Sequence, residues 1–149
     1  MSLTKYFVSI PLLLCTAHVF SQIDSSFWNK HFVQLSIKNK DTAIFNPCDA
    51  VNRTLFISRD SVFDNQGQEQ AVIKIVNTEH TDTSWVLHSS LADYTLLYHN
   101  KTSGIARWKI KYKTVKYPVK ILFVQKEKSD RFKIINQPCK ECRGSDCDE

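Results

Sequence analysis

Residues 105–126 read IARWKIKYKTVKYPVKILFVQK, and this stretch decides the fold class because a structural period is visible in it residue by residue. Charged and apolar side chains alternate from Arg107 onward, and the alternation resumes after the turn-like residues 114–118 and continues to Phe123. A period of two, with apolar side chains on one face and lysines on the other, is typical of a half-buried antiparallel hairpin. The stretch therefore predicts two paired strands, with Trp108 on the buried face.

Short segments rich in β-branched and aromatic residues recur along the rest of the chain at roughly ten-residue spacing. No long amphipathic segment separates them, which disfavours parallel crossover connections. The sequence predicts an all-β fold, an antiparallel meander barrel of about seven to eight short strands, with a β-sandwich as the alternative. Besides the hairpin, the predicted strands lie at residues 33–37, 53–58, 61–63, 69–76, 84–88, 94–99 and 131–135.

The segments between the predicted strands are polar or contain turn-forming residues. Ser25 is placed to cap a short N-terminal helical turn that extends to about Lys30. Residues 41–50 and the polar stretch 77–84 are expected to be loops. Residues 64–67 read DNQG, and glycine at the end of an Asp/Asn-rich turn is a hairpin signal.

The start of the chain has the anatomy of a secretory signal peptide. Lys5 precedes an apolar run, and small or modest residues suit a cleavage before Gln22. A lipid anchor at Cys15 is disfavoured because the residue before it, Leu14, is bulky. We therefore expect a secreted or periplasmic protein.

The sequence predicts three parts of the chain. Residues 1–21 are the expected signal peptide, residues 22–138 a single β domain and residues 139–149 a cysteine-rich polar tail. We expect no membrane span, because a spanning helix needs about 20 consecutive apolar residues.

Positive charge is concentrated in one part of the chain. The sequence has 20 lysines and arginines, 15 acidic residues and a net charge of +5. Residues 105–138 contain ten of the basic and two of the acidic residues, so the rest of the chain is slightly acidic. The basic character therefore belongs to the hairpin and the segment after it. For an exported protein we expect no nucleic-acid partner.

The order of an early tryptophan, Trp28, about eight predicted strands and a late hairpin with inward aromatic residues resembles the small lipocalin-like meander barrels exported by bacteria. The resemblance is one of pattern and covers most of residues 28–125; Ser26 stands where lipocalins have a glycine. It implies a meander barrel. We carry no functional residue over from that family, because such architectures serve unrelated functions.

Four cysteines follow the expected cleavage site. The C-x2-C-x4-C spacing in the tail is compatible with a zinc site or a redox pair, but an even number of cysteines in an oxidising compartment favours two disulfides. We predict Cys48–Cys139 and Cys142–Cys147, because a Cys139–Cys142 ring would be very small and residues 143–146 form a ready turn. We expect no metal site and no cofactor.

The sequence offers little that indicates catalysis. Glu79, His80 and Asp82 form a tight local cluster, but it lies in the polar stretch 77–84 and is expected to be a solvated turn. The chain has no Gly-x-Ser-x-Gly elbow, no phosphate-binding glycine loop and no zinc-protease motif. We therefore expect a protein that is not an enzyme.

The row of basic residues on the hairpin is the one feature that suggests a binding surface. Like charges two residues apart on one strand face repel unless an anion or an acidic neighbouring strand screens them. The row either binds phosphate, anionic glycan, lipid head groups or an acidic partner, or protects an exposed strand from aggregation. The candidate anion-binding residues are Arg107, Lys109, Lys111, Lys113, Lys116 and Lys120.

Two functions are compatible with these features. In the first, the barrel binds a small apolar ligand, and Trp108, Tyr112 and Phe123 line its cavity. In the second, a closed β domain is an interaction module whose basic face binds an anionic polymer or acidic protein, such as an anionic envelope component. An internal cavity of roughly 300–1,000 Å³ distinguishes the first function from the second.

Overall fold

The structure is a computed structural model and describes residues 25–38, 41–48 and 50–137. The predicted signal peptide and tail, and Cys15, lie outside these ranges. The described chain contains two short 3-10 helices, Ser25–Phe27 and Lys126–Arg131. Its strands are β1 (Lys30–Lys38), β2 (Asp41–Asn46), β3 (Thr54–Ile57), β4 (Ser61–Asn65), β5 (Gln70–Thr81), β6 (Ser84–Ser89), β7 (Ala92–His99), β8 (Ile105–Tyr112), β9 (Val119–Gln125) and β10 (Lys133–Asn136).

Eight of these strands, β1 and β3 to β9, form a closed antiparallel barrel. β1 pairs with β3, the strands from β3 to β9 each pair with the next, and β9 pairs with β1, where Phe32 lies opposite Gln125. Closure leaves these strands without an unpaired edge. The predicted all-β meander barrel is confirmed, and the β-sandwich alternative is wrong.

β2 and β10 form a second layer outside the barrel. The last residues of β1 pair with β2, and β2 pairs in parallel with β10. Ile44 of β2 packs with Leu35 and Val124, which face outward from β1 and β9. The prediction of a loop at residues 41–50 is wrong for β2, because covering this apolar outer patch stabilises a strand there.

Large side chains fill the barrel interior. Trp108, Tyr94, Phe32 and Phe123 are fully buried. Phe27 of the first 3-10 helix, also fully buried, places its ring centroid 5.6 Å from that of Trp108. The N-terminal helix therefore closes one end of the barrel, and the turns that precede β5, β7 and β9 lie at the other end.

The predicted helical turn exists but is shorter than expected. It ends at Phe27, and Asn29 then adopts a left-handed backbone (φ 57°) before β1 begins at Lys30. A single left-handed residue of this type redirects the chain at small cost when it is Asn. The helical turn thus ends about three residues earlier than the helical spacing predicts, and the strand begins close to where it was expected.

Two loop predictions are wrong in position. β5 continues to Thr81 and pairs with β6, so most of residues 77–84 are strand; the His80 ring lies 4.2 Å from that of Trp85, a cross-strand contact that favours pairing. Asp64 belongs to β4, and the turn follows it at residues 66–69, with Gly67 at φ 108°.

Candidate functional site

The three predicted ligand-lining residues lie inside the barrel. Trp108 and Phe123 are fully buried in the main hydrophobic cluster, and the ring of Phe32 lies 6.5 Å from that of Trp108. Tyr112 is half-buried, and its hydroxyl belongs to a polar network described below. The space around Trp108 and Phe123 is therefore occupied by other core side chains.

The six predicted anion-binding residues share the outer surface of β8, β9 and the turn between them, and each is at least partly exposed. The register places Lys109 opposite Lys120 on β9 and opposite the uncharged Thr95 on β7. Among the residues that the structure describes, none of the six forms an ion pair. Like charges directly opposite one another destabilise a sheet, so a bound anion would be stabilising here.

The turn between β8 and β9 is held in shape by Lys111. Its Nζ donates to the carbonyl oxygen of Val115 and, at 2.6 Å, to that of Lys116. The backbone N–H of Lys113 donates to the carbonyl oxygen of Leu91, 2.9 Å away in the β6–β7 turn. Lys111 therefore orders the turn, while Lys113 and Lys116 keep exposed ammonium groups.

A buried polar network closes the barrel at the hairpin end. Asp64 is fully buried and accepts hydrogen bonds from Arg53 Nε (2.9 Å) and Nη2 (2.6 Å). The hydroxyls of Tyr94 and Tyr112 donate to the same carboxylate, at 3.0 and 3.1 Å. Such charge-assisted bonds from a bidentate guanidinium satisfy a buried carboxylate.

The pKa values of Arg53, Tyr94 and Tyr112 are all raised in this network. Burial lowers the pKa of Arg53, but the hydrogen bond and the charge of Asp64 outweigh it and leave that pKa above its ordinary value. Burial, followed by the negative charge of Asp64, raises the pKa of Tyr94 and of Tyr112. At neutral pH both phenols stay protonated and act as donors, so the arrangement suits structural closure rather than proton transfer.

An open cleft of about 290 Å³ adjoins this network. Arg53 and Gln66 form part of its wall, together with Gln34 and Phe45. A second groove of about 360 Å³ crosses the outer face of β1, β3 and β4, where the ring of His31 stacks on that of Phe56 at 4.4 Å. Neither space is lined by Trp108 or Phe123.

His88 connects three strands on the outer surface. Its Nδ1 lies 3.0 Å from Asp93 Oδ1 on β7 and its Nε2 lies 3.3 Å from Glu79 Oε1 on β5. The hydrogen bond to Asp93, opposed by partial burial, raises the pKa of His88. Glu79 therefore pairs with His88, and the predicted cluster around His80 is not a compact site.

The described residues contain no group of three or more histidines, cysteines or carboxylates placed to hold a metal ion. Nor does any helix within these residues combine the length and apolar character needed to cross a membrane. Cys48 is disulfide-bonded. The predicted Cys48–Cys139 and Cys142–Cys147 pairings involve cysteines outside the described ranges, so the connectivity stays a prediction.

The Asp64 network was missed in the sequence analysis. Asp64 looked like a turn residue because it precedes Asn65 and a glycine, and Arg53 was noted only as the start of a strand. A signal exists in the alternation, since Asp64 lies two residues after Val62 and therefore on the inward face. An inward carboxylate requires a partner of opposite charge on a neighbouring strand.

Comparison of the chain with protein-family models, with curated proteins and with solved structures found no match in any of the three. The lipocalin-like resemblance stays a prediction based on the pattern of residues 28–125. Function has to be argued from the geometry of this barrel alone.

Proposed function

We propose that this protein is an exported, disulfide-stabilised β-barrel that acts as an interaction module, and that its basic strand face binds an anionic polymer or an acidic protein. The proposed role is binding, not catalysis. The signal-peptide anatomy of residues 1–21 supports export. The cysteine content supports an oxidising compartment.

The opposed pair Lys109 and Lys120 carries this proposal. The two side chains face each other on adjacent strands, with no acidic residue opposite either of them in the described register. Alternatives such as Glu or Thr at one of these positions would remove the repulsion at no cost to the core. An anionic partner that bridges the two ammonium groups turns this repulsion into binding energy.

The packed interior favours this function over an enclosed apolar ligand, because aromatic core residues occupy the space around Trp108 and Phe123. One observation favours the second candidate, a small interior ligand. The indole Nε1 of Trp108 is buried and has no hydrogen-bond partner among the described residues. Native mass spectrometry of the protein purified from its own envelope tests that candidate, because a retained small molecule would add to the mass.

Retention on an anionic resin tests the basic face. We expect the protein to be retained at low salt and released steeply as salt rises, since screening over about 8–10 Å at physiological salt weakens surface attraction first. The informative variant is Lys109→Gln, Lys113→Gln and Lys120→Gln combined. It leaves Lys111 in place to order the turn, and we expect it to lose most of the retention with an unchanged melting temperature.

A matched control separates the basic face from net charge. Lys74→Gln, Lys126→Gln and Lys133→Gln combined remove the same charge from exposed positions elsewhere on the surface. We expect this control to be retained almost as well as the wild type. Equal loss of retention by both triple variants would show that only net charge matters and would contradict the proposal.

A further inference from the structure

We propose that the turn between β8 and β9 docks on an anionic lipid surface, with Val115 and Tyr117 entering the interface and Lys113 and Lys116 contacting the phosphate groups. This inference goes beyond the proposed function, because the partner is a lipid surface and not a polymer or a protein. It places the contact at the end of the hairpin instead of along its side.

The turn exposes apolar side chains that the barrel does not need. The exposed fractions are 69% for Tyr117, 48% for Val115 and 43% for Val119. Leu91, 54% exposed, lies beside them because its carbonyl oxygen accepts the hydrogen bond from Lys113. Two neighbouring turns therefore present apolar groups at one end of the molecule.

The same turn is surrounded by cations. No aspartate or glutamate occurs between Thr102 and Lys126 in the sequence, and Lys113 and Lys116 are exposed without an ion pair in the described chain. The Nζ of Lys116 lies 5.2 Å from the centroid of the Tyr117 ring. Lysines next to exposed Val and Tyr side chains suit a membrane surface, where the lysines contact lipid phosphates and the apolar side chains enter the boundary of the acyl chains.

The shape of the surface favours lipid over an acidic protein. A stable protein–protein contact buries about 800 Å² on each partner, and a single protruding turn is too small and too convex to supply that area. A lipid surface yields around a convex turn and needs no complementary shape. The contacts from Lys111 to the Val115 and Lys116 carbonyls order the turn before binding, which limits the entropy lost on docking.

Vesicle binding of the full mature protein tests the inference. Co-sedimentation is measured with phosphatidylcholine vesicles and with mixed phosphatidylcholine–phosphatidylglycerol vesicles, and we expect binding only to the mixed vesicles. Val115→Ser combined with Tyr117→Ser should weaken this binding by at least about tenfold, because apolar insertion is lost. Lys113→Gln and Lys116→Gln should each weaken it by about fivefold.

Matched substitutions elsewhere provide the controls. Val76→Ser combined with Tyr98→Ser removes a valine and a tyrosine that are also exposed, but on the barrel wall. Lys74→Gln removes a charge from an exposed position on β5, outside the basic face. We expect these controls to bind mixed vesicles as the wild type does.

A second readout reports insertion directly. In Tyr117→Trp, the emission gained over the wild type should shift to shorter wavelength with mixed vesicles and stay unshifted with phosphatidylcholine alone. The inference is overturned if the variant with Val115→Ser and Tyr117→Ser binds mixed vesicles as the wild type does, or if the controls lose as much binding as that variant. It is also overturned if the wild type is retained on the anionic resin but does not bind mixed vesicles. In these cases the proposed function stands. A wild-type protein that binds neither the anionic resin nor the mixed vesicles would overturn both the proposed function and this inference.

Discussion

Asp64 is a fully buried carboxylate whose hydrogen-bond donors come from three other positions on the barrel wall: Arg53, Tyr94 and Tyr112. A buried ion pair gains little over a well-packed apolar pair, because removing both charges from water is costly. Losing one partner is different, since the remaining charge is buried without compensation. The network therefore makes the hairpin end sensitive to single substitutions.

We expect Asp64→Asn to lower the free energy of unfolding by about 3–5 kcal/mol, because Arg53 would keep its charge without a counterion. Asp130→Asn, which changes an exposed carboxylate in the second 3-10 helix, is the matched control and should change it by less than about 0.5 kcal/mol. Urea denaturation at neutral pH measures both.

The double variant Arg53→Met with Asp64→Leu should recover much of the stability that Asp64→Asn loses, because no buried charge remains. An Asp64→Asn protein that unfolds at the same urea concentration as the wild type would show that the network contributes nothing. The sequence predicted none of this, because a carboxylate beside Asn and Gly is usually a turn residue, and only strand register shows which way it points.

At the scale of elements, His88 joins β5, β6 and β7 through Glu79 and Asp93, with Asn77 opposite it on β5 and Lys111 beyond Asp93 on β8. The pKa of His88 in the folded protein is raised above its ordinary value, with the hydrogen bond to Asp93 as the largest raising contribution. Protonation of His88 therefore stabilises the fold. This contribution is complete below about pH 6.5, the unfolded pKa, and is lost as pH rises through the folded pKa.

We expect His88→Gln to lower the melting temperature more at about pH 5.5 than at about pH 8.5, relative to the wild type at each pH. Comparing the variant with the wild type at the same pH cancels the contribution of His99 to stability. The pKa of His99 is lowered by burial and by Lys128, so its contribution changes with pH in the opposite sense. A melting-temperature difference that is the same at both pH values would contradict a stabilising imidazolium.

The elements differ in how far the sequence could predict them. The β8–β9 hairpin was predicted well because its alternation is strict, and burial of Trp108 and exposure of Arg107 follow that period. β2 was missed because its apolar run, residues 43–45, is short, and Ile44 becomes buried only against residues such as Val124 that are far away in sequence. Alternating sequence periodicity reveals a strand that has one solvated face. It does not reveal a strand whose two faces are both covered.

For the whole molecule, the disulfide bond of Cys48 adds a covalent constraint to the fold. If it joins Cys48 to Cys139 as predicted, it closes a loop of about ninety residues, and chain-entropy reasoning gives it ~4–5 kcal/mol as an upper figure. We expect Cys48→Ser to lower the melting temperature far more than Cys147→Ser. Differential scanning calorimetry of the two variants measures the difference.

Peptide mapping without reduction identifies the connectivity. A Cys139–Cys142 linkage, or one equivalent of zinc on free thiols, would contradict the predicted pairing. The fold class followed from composition and spacing, whereas barrel closure needed the β1–β9 pairing, which no local pattern encodes.

That closing pair determines the order in which the molecule assembles. Most barrel pairings join neighbouring segments, and hairpins of this type form within about 1–10 μs. Phe32 and Gln125, by contrast, stand near opposite ends of the described chain, so bringing them together carries the loop-closure entropy of nearly the whole domain. Because the barrel stays open until β9 pairs with β1, we expect the burial of Trp108 to be complete only when this pair forms. We therefore expect barrel closure to be a late folding step, and a chain that emerges N-terminus first cannot close the barrel before β9 is present.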